Sequence, residues 1–312
     1  MGKIYEQDVL ILAGTETTYG SGLVLTGAAN AMRAKVNLKF LDGDQEDLDY
    51  DAGRGGSKGA MQLTKRVTGD ITTYLSGVGT AGTAPAYAPF LQMCGLKPAI
   101  TAGEKVVYTP VSQDYDSAVA HVYRGKIKHP IHGARASLDL SLGTKALPKF
   151  TFNSFIGLFV DPTQVANFIS ADYTAFEQPM TSDAVLVTKM NLFGQAVNMS
   201  ELTFKLGNTV VHRNVTNNIS VEITNRKPQV EITIEEPELN TFDWWGKLST
   251  YGDMEYQLGD DALDEGHIFE LNVPNLQLRS IEPTMADGIS HLKTVLDVVP
   301  TARDNDFELI FR

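Results

Sequence analysis

The chain has 312 residues, of which 43% are hydrophobic and 21% are charged, so it can bury one large core or two ordinary ones. Its 26 basic and 38 acidic residues give a formal net charge of −12, which excludes a simple electrostatic nucleic-acid binder and attraction to anionic membranes. A single cysteine excludes an intrachain disulfide and a cysteine-rich zinc site. The start does not read as a secretory signal, and no apolar stretch approaches the roughly 20 residues of a membrane helix. The composition predicts an acidic, soluble protein of a reducing compartment.

Alternation of apolar and polar residues dominates the first half and predicts strands. The predicted strands are 35–40, 70–75, 106–109, 118–123, 127–129, 137–142 and 150–160, with a hairpin turn at 124–126.

One helix is predicted in the first half, from Thr83 to Gly95. A hydroxyl cap is followed closely by Pro85, which is tolerated in a first turn, and the glycine suits a helix end. Pro89 is expected to mark a break or kink near the first turn. The residues expected on the apolar stripe are Tyr87, Phe90, Leu91 and Cys94.

Residues 161–185 form a polar stretch with prolines, which predicts a linker. Alternation then resumes at 201–206, 230–234, 267–271, 276–278 and 292–298. A second helix is predicted over 238–248, where Phe242, Trp245 and Leu248 have helical spacing and are expected to pack in the core.

The two halves repeat the same order of elements, with a helix at the same place in each. We therefore expect a mainly β chain with two tandem β-sandwich or barrel domains, 1–160 and 186–312, each flanked by one helix and joined by the linker. Identity between the halves is low, so chance alternation is the alternative explanation.

Candidate catalytic and cofactor motifs are weak. Residues 77–82 match a GxGxxG pattern, but prolines crowd the following turn and the next segments alternate like antiparallel strands, which favours a flexible connection. Residues 53–59 lack the residue order of a phosphate loop. His121, His129 and His132 have no metal-ligand spacing, and Cys94 is expected to be a core thiol. No catalytic, cofactor or metal site is predicted.

The segment after the first predicted strand is unusually acidic. It contains Asp42, Asp44, Glu46, Asp47, Asp49 and Asp51, and departs from an EF-hand after the first residues. Either it is a solvated, self-repelling loop, or its carboxylates line a surface that another anion must pass without binding.

Several segments together resemble the tail tube (major tail) proteins of long non-contractile-tailed bacteriophages and prophages. The most specific is the block 79–95, which reads GTAGTAPAYAPFLQMCG. The acidic, glycine-rich segment 42–59 and the pair Trp244 and Trp245 depart from the pattern. The other segments that carry the resemblance are 16–20, 25–31, 107–112, 132–137, 206–208 and 225–228.

The resemblance implies a structural subunit of the virion tail, assembled in the host cytoplasm, whose rings stack into a tube through which DNA leaves the capsid. It implies that β-sandwich domains donate strands to an inner barrel, and it requires no enzyme activity or cofactor. Its implied partners are further copies of itself, the tape-measure protein, tail-terminator and tail-tip proteins, and DNA in transit without specific binding. The acidic segment is then expected in the lumen or between rings. Two tandem domains favour a trimer with pseudo-sixfold symmetry, and a true hexamer is the alternative.

Two other classes of function compete with this one. A tail-tip or adhesion β-sandwich that binds a host surface ligand would expose aromatic residues on loops, and Tyr50, Trp244 and Trp245 are the candidates. An enzyme would have to use the glycine-rich loop at 77–82.

Overall fold

The computed structural model describes residues 4–5, 8–51, 53, 55–144, 146–182, 186–260 and 265–312. Residues 183–185, at the end of the predicted linker, lie outside the described residues. Up to residue 160 the elements are β1 (Val9–Thr15), β2 (Ala31–Met32), β3 (Lys35–Asp42), β4 (Gln45–Asp47), β5 (Ala60–Gln62), β6 (Arg66–Tyr74), α1 (Ala88–Gln92), β7 (Leu96–Thr101), β8 (Lys105–Pro110), β9 (Ala118–Arg124), β10 (Ile127–Gly143) and β11 (Lys149–Phe159).

The remaining elements are also almost all strands. They are β12 (Thr163–Gln164), β13 (Val187–Leu192), β14 (Gln195–Ala196), β15 (Met199–Lys205), β16 (Asn208–Val215), β17 (Asn218–Arg226), β18 (Gln229–Glu235), one 3-10 turn (Trp245–Lys247), β19 (Tyr251–Leu258), β20 (Phe269–Ala286), β21 (Ile289–Val298) and β22 (Glu308–Phe311). The predicted mainly β fold is confirmed.

Eight strands form one continuous antiparallel row. Their order is β3, β6, β11, β10, β15, β18, β21 and β20, so the first four come from the first half of the chain and the last four from the second. The halves meet where β10 pairs with β15, with Asp139 opposite Lys205 and Gly143 opposite Glu201. The two halves therefore share one sheet in this row.

The row has two unpaired edges, although the strands around it are hydrogen-bonded into one curled system. Among the described residues, β3 pairs only with β6. At the other end, residues 280–286 of β20 pair only with β21. Backbone donors and acceptors along both edges are consequently available to another strand.

The two longest strands, β10 and β20, take part both in the eight-stranded row and in a second layer, which contains β9, β19 and β22. The N-terminal part of β10 pairs with β9, and β-bulges at 131–137 precede its pairing with β15. The N-terminal part of β20 likewise pairs with β19 and β22, and a bulge follows at 278–280. Since a bulge bends and twists its strand, each long strand leaves one layer and enters the eight-stranded row.

The core lies between the row and the second layer. Alternation places Phe150, Phe152 and Phe204 on the inward face of the row, where they are fully buried. Phe269 and Phe311 approach from the second layer, and the rings of Phe150 and Phe269 have their centroids 6.2 Å apart. Each such ring contributes on the order of 2–3 kcal/mol by leaving water.

The first helix is much shorter than predicted. It spans only Ala88–Gln92, with Tyr87 at its N-cap and a proline in its first turn. Thr83 is not its cap, because its backbone N–H donates to Thr80 in a separate turn. Pro89 starts the helix rather than kinking it, since a proline at this position loses no helical hydrogen bond. The helix ends at Gln92, before the predicted end at Gly95, which follows in a turn with φ +80°. The expected stripe residues Phe90 and Leu91 are buried.

The second predicted helix, 238–248, is wrong. Only one 3-10 turn forms at its end, and β19 begins soon after it. Trp244 is 2% exposed and packs against Phe242 with ring centroids 4.6 Å apart and planes tilted by 60°, whereas Trp245 is 45% exposed. Leu248 is exposed as well. The expected core role of Trp245 and Leu248 is therefore wrong, because tertiary contacts of Trp244 determine which side of this segment faces inward.

Candidate assembly interface

Two hairpins occupy corresponding places in the row. The β4–β5 hairpin connects β3 to β6, and the β16–β17 hairpin connects β15 to β18. In each half of the chain, the hairpin therefore lies between the first two strands that this half contributes to the row.

The β16–β17 hairpin packs on the first half of the chain. Val221 and Ile223 are buried. The Asn208 side-chain amide donates to the carbonyl oxygens of Cys94 and Ala136, at 2.8 and 3.0 Å. These bonds tie the base of the hairpin to the end of α1 and to β10.

Arg135 lies at the centre of this contact and is 7% exposed. Its guanidinium donates to the carbonyl of Val221 at 2.6 Å and of Tyr115 at 3.0 Å, and pairs with the Glu222 carboxylate. The guanidinium carbon also lies 5.0 Å from the ring centre of Tyr19. Burial raises the pKa of the Tyr19 hydroxyl, which accepts a hydrogen bond from the backbone N–H of Val221. The buried charge is thus paired with a carboxylate, while the Nε of Arg135 has no hydrogen-bond partner among the described residues.

The segments that carry the family resemblance meet beneath this hairpin. The buried Glu16 carboxylate accepts from the backbone N–H groups of Gly20 and Gly133, at 2.9 and 3.0 Å. Gly133 has φ +54°, and a Cβ there would lie 2.9 Å from the Tyr19 ring. A Cβ on Gly95 would similarly meet Tyr115 at 2.9 Å. Residues of the segments that carry the resemblance therefore form the surface on which the β16–β17 hairpin packs.

The acidic segment begins at the base of the β4–β5 hairpin. Arg66 forms an ion pair with Asp42 at 3.0 Å and reaches Asp44 at 3.8 Å. The pKa of Asp42 is lowered, chiefly by the hydrogen bond from Lys39 and then by the one from Arg66. The Thr64 hydroxyl also donates to Asp44 at 3.0 Å. These two carboxylates therefore anchor the base of the hairpin.

The other four acidic residues lie along one exposed arm. Glu46 and Asp47 are in β4, Asp49 lies 3.8 Å from the Lys58 ammonium, and Asp51 is exposed near the tip. Among the described residues, no group of three or more metal-binding side chains is close enough to hold an ion. A lumen or inter-ring position for this segment stays a prediction.

The outer part of the β16–β17 hairpin exposes Val211, Val215 and Ile219. Five large apolar side chains also lie exposed on or beside the β4–β5 hairpin. They are Leu41, Leu48, Tyr50, Met61 and Leu63.

A second group of exposed apolar residues lies near the unpaired end of β20. Met285 is 71% exposed in the free part of the strand. Beside Gln277 and Leu278, where β20 enters the row, the segment 245–251 presents Trp245, Leu248 and Tyr251 to solvent. This segment is attached to β20 because Ser249 donates to the Leu278 carbonyl at 2.8 Å. We call the three residues Trp245, Leu248 and Tyr251 the 245–251 patch.

The outward face of the row is polar and mixed in charge. Lys205 pairs with Glu231 at 2.5 Å, and Arg279 lies 3.5 Å from Asp297. Burial raises the pKa of Asp139, which lies on the same face. In the described strands of the row, acidic, basic and neutral polar groups are interspersed, and no continuous basic stripe is present to hold phosphates.

The glycine-rich loop 77–82 is a connection, as predicted. The backbone N–H groups of Val78 and Gly79 donate to the carbonyl of Gly266, at 2.8 and 3.0 Å. A Cβ on Gly82 would lie 2.4 Å from the Gly103 nitrogen. The chain's own backbone therefore occupies the space beside these glycines.

The remaining candidate side chains have structural positions. Cys94 is buried, and burial raises the pKa of its thiol, which confirms the predicted core thiol. His129 stacks on Phe40 with centroids 4.2 Å apart. His121 is buried on β9, and desolvation lowers its pKa to about 4. His121 and His132 line the same surface cleft.

Sequence reasoning missed both hairpins and the role of Arg135. A usable signal was present in the length of the two connections. The paired residues Val36 and Ile71 are 35 positions apart, and Leu202 and Ile232 are 30 positions apart, so each connection has room for a hairpin.

Comparison with known families agrees with this architecture. A family described as phage tail tube protein matches residues 6–274, which is most of the chain. No curated protein matches it. In the described part of the chain, no helix is long and apolar enough to span a membrane. The role is structural, in the virion tail, where such subunits assemble with one another into the tube. The chain therefore belongs to the phage tail tube protein family.

Proposed function

We propose that this chain forms rings by joining the two unpaired edges of its eight-stranded row, and that the rings stack into a tube through which genomic DNA passes. The observation that carries this proposal is the pair of free edges, on β3 and on residues 280–286 of β20, at opposite ends of one sheet. An edge that closes on a neighbouring copy satisfies its backbone groups, and a closed ring leaves none exposed.

The two halves are tandem tail tube domains, 1–160 and 186–312, joined by 161–185. The pairing order supports this: β3, β6, β11 and β10 follow one another as β15, β18, β21 and β20 do. In each half a hairpin connects the first two strands, and the last strand is long and bent. Chance alternation would not reproduce the pairing order and the hairpin together.

A ring then contains three chains with pseudo-sixfold symmetry, because each chain supplies two equivalent domains. The β10–β15 junction supports this arrangement, since it already joins two such domains through their edges within one chain. A hexamer would require the second half to stand outside the ring.

The polar face of the row lines the lumen. Its mixed charges offer no basic stripe to phosphates, and the net charge of −12 makes the surroundings of the bore repulsive to DNA. DNA then slides rather than binds. The acidic segment 42–51 belongs to the ring interfaces, the tape-measure, tail-terminator and tail-tip proteins complete the tail, and assembly takes place in the host cytoplasm.

Negative-stain electron microscopy of the purified chain, averaged down the particle axis, tests this function. Rings or tubes with a central hole and threefold averages are expected. Sixfold averages from six chains would reject the trimer, and solid particles without a hole at high concentration would contradict the tube itself. Mass photometry of the same sample counts the chains in each ring.

A further inference from the structure

We propose that the β4–β5 hairpin of one copy docks on the 245–251 patch of the next copy, while β3 pairs with residues 282–286 of that copy's β20. The proposal rests on the proposed function, since it assigns the residues that form the ring contact. Its occupant is a second copy of this chain.

The chain contains a template for this contact. The edge of β15 pairs with the end of β10, and the attached β16–β17 hairpin folds over the end of α1 and over β10. The first half thus receives the edge strand and hairpin of the second half. If the halves are equivalent, the second half should also receive an edge strand and its hairpin. The edge strand without a partner is β3, and its hairpin is β4–β5.

Strand register makes the equivalence specific. Val36 pairs with Ile71 as Leu202 pairs with Ile232. Ile71 then faces Phe152, which faces Leu138, while Ile232 faces Thr294, which faces Ile281. Leu138 in β10 therefore corresponds to Ile281 in β20, and Asp139 corresponds to Glu282.

The same correspondence gives the register between copies. Asp139 lies opposite Lys205 at the junction within the chain, and Lys205 corresponds to Lys39. We therefore expect Glu282 opposite Lys39 of the next copy, so the charges are complementary as they are in the template. Two further pairs follow, Thr284 opposite Asn37 and Ala286 opposite Lys35.

Burial along the two long strands supports this assignment. Leu140 and Leu142 are fully buried where β15 and the core cover β10, whereas their counterparts Pro283 and Met285 are exposed. Pro283 is typical of an edge strand, and at this position β20 has no N–H to offer a neighbouring strand.

The receiving turns resemble each other in the two halves. Gly95 follows α1 with φ +80°, and Ser249 follows the 3-10 turn with φ +63°. Each turn is hydrogen-bonded to the long strand of its half: Met93, before Gly95, accepts from Ala136, and Thr250, after Ser249, accepts from Leu278. In the first half this turn lies under the packed hairpin, where Ile223 comes within 3.6 Å of a Cβ built on Gly95. In the second half the turn carries the exposed patch, which is apolar like the side chains on the β4–β5 hairpin.

Disulfide trapping tests the register. The double variant Lys39→Cys with Glu282→Cys should form interchain disulfides in assembled rings under mild oxidation, giving covalent multimers on non-reducing gels. The matched control, Lys39→Cys with Thr284→Cys, is two residues out of register, and its Cα atoms should lie beyond disulfide reach. We expect at least a tenfold lower yield from the control. Equal yields, or none from the first pair in intact rings, would overturn the register.

Substitution of the patch tests the docking surface. Trp245→Ala with Leu248→Ala should raise the concentration needed for ring formation at least tenfold, with the melting temperature of the monomer unchanged. The control Phe168→Ala removes an aromatic side chain that is 64% exposed elsewhere, and it should leave ring formation unchanged. In the wild-type chain, Trp245 should become protected from acrylamide quenching as rings form, because Trp244 is already buried.

The outcomes separate the two proposals. Rings that form normally in the patch variant, with Trp245 still quenched, would overturn the docking surface and leave the tube function intact. Failure of the wild-type chain to form rings or tubes would contradict the proposed function itself.

Discussion

The β4–β5 and β16–β17 hairpins leave corresponding points of the same row, yet only the β16–β17 hairpin packs its base against the other half of the chain. The β16–β17 hairpin buries Val221 and Ile223 and is held by Arg135. The β4–β5 hairpin presents Met61 and Leu63 to solvent. The β16–β17 hairpin packs at its base on the first half of its own chain. The β4–β5 hairpin has no such packing along its described arm, and only its base, at Gln62, Leu63 and Thr64, shares a cleft with His212 and Ile219 of the other hairpin.

This comparison separates residues that stabilise the fold from residues that serve assembly. Burial of a side chain such as Val221 stabilises the single chain by about 2 kcal/mol. The exposed apolar residues of the β4–β5 hairpin give the single chain no such stabilisation. Changes in the two regions should therefore affect different measurements.

Removal of the β4–β5 hairpin should have the largest effect on assembly. Replacing residues 45–62 with an Asn-Gly turn shortens an exposed connection, so the free energy of unfolding should change by less than about 1 kcal/mol. Ring formation, followed by mass photometry, should fall at least a hundredfold. Rings that persist in this variant would show that the hairpin is not part of the contact.

Of the single substitutions proposed for the two hairpins, Arg135→Ala should lower the free energy of unfolding most. It leaves the carbonyl groups of Val221 and Tyr115 without their donor and removes the charge beside Glu222, at a cost of about 3–4 kcal/mol. Urea unfolding measures this cost, and faster thiol labelling of the buried Cys94 should report opening of the hairpin above it.

The matched control for Arg135 is Arg66→Ala, which removes the ion pairs of the exposed hairpin. Its cost should be below about 1 kcal/mol, because these pairs are partly solvated. Similar costs for the two substitutions would contradict the difference between the hairpins.

Acid should weaken the first half through His121. Its pKa is about 4 in the fold against 6.5 when unfolded, because burial disfavours the charged ring and Lys128 and His132 add repulsion. The unfolded chain therefore binds the proton first as pH falls. About 2–3 kcal/mol of stability should be lost between pH 6.5 and 4, and the loss should level off below that. His121→Asn should flatten this part of the profile, measured by urea unfolding at each pH, and an unchanged slope would contradict the assignment.

Charge reversal at the edge strands should have the smallest effect. Lys39→Glu should weaken ring formation about tenfold, which corresponds to about 1.4 kcal/mol. Adding Glu282→Lys should restore most of the loss, since the pair is only inverted. If Glu282→Lys weakens ring formation by itself and does not rescue Lys39→Glu, the two residues do not lie opposite each other.

The sequence was most informative where one side of a strand is buried. Strands such as Lys149–Phe159 and Gln229–Glu235 were predicted because period-two alternation follows directly from a half-buried sheet. The long strands were predicted only in pieces, because β-bulges interrupt the alternation in β10 and β20.

Helices and site contacts were less accessible to prediction. The stretch 238–248 has helical spacing, but the inward position of Trp244 depends on Phe193 and Phe242, and Phe193 is far away in sequence. The acidic segment was found from composition alone. Its pairing with Arg66, and the burial of Arg135 under a distant hairpin, depend on strand pairing that local patterns do not encode.

A cryo-electron microscopy reconstruction of the assembled tube, at a resolution that separates the strands, tests the central claim most directly. We predict three chains per ring, with β3 of one copy beside residues 282–286 of the next and its β4–β5 hairpin on Trp245. A ring in which β3 stays unpaired, or in which the 245–251 patch faces solvent, would contradict the account.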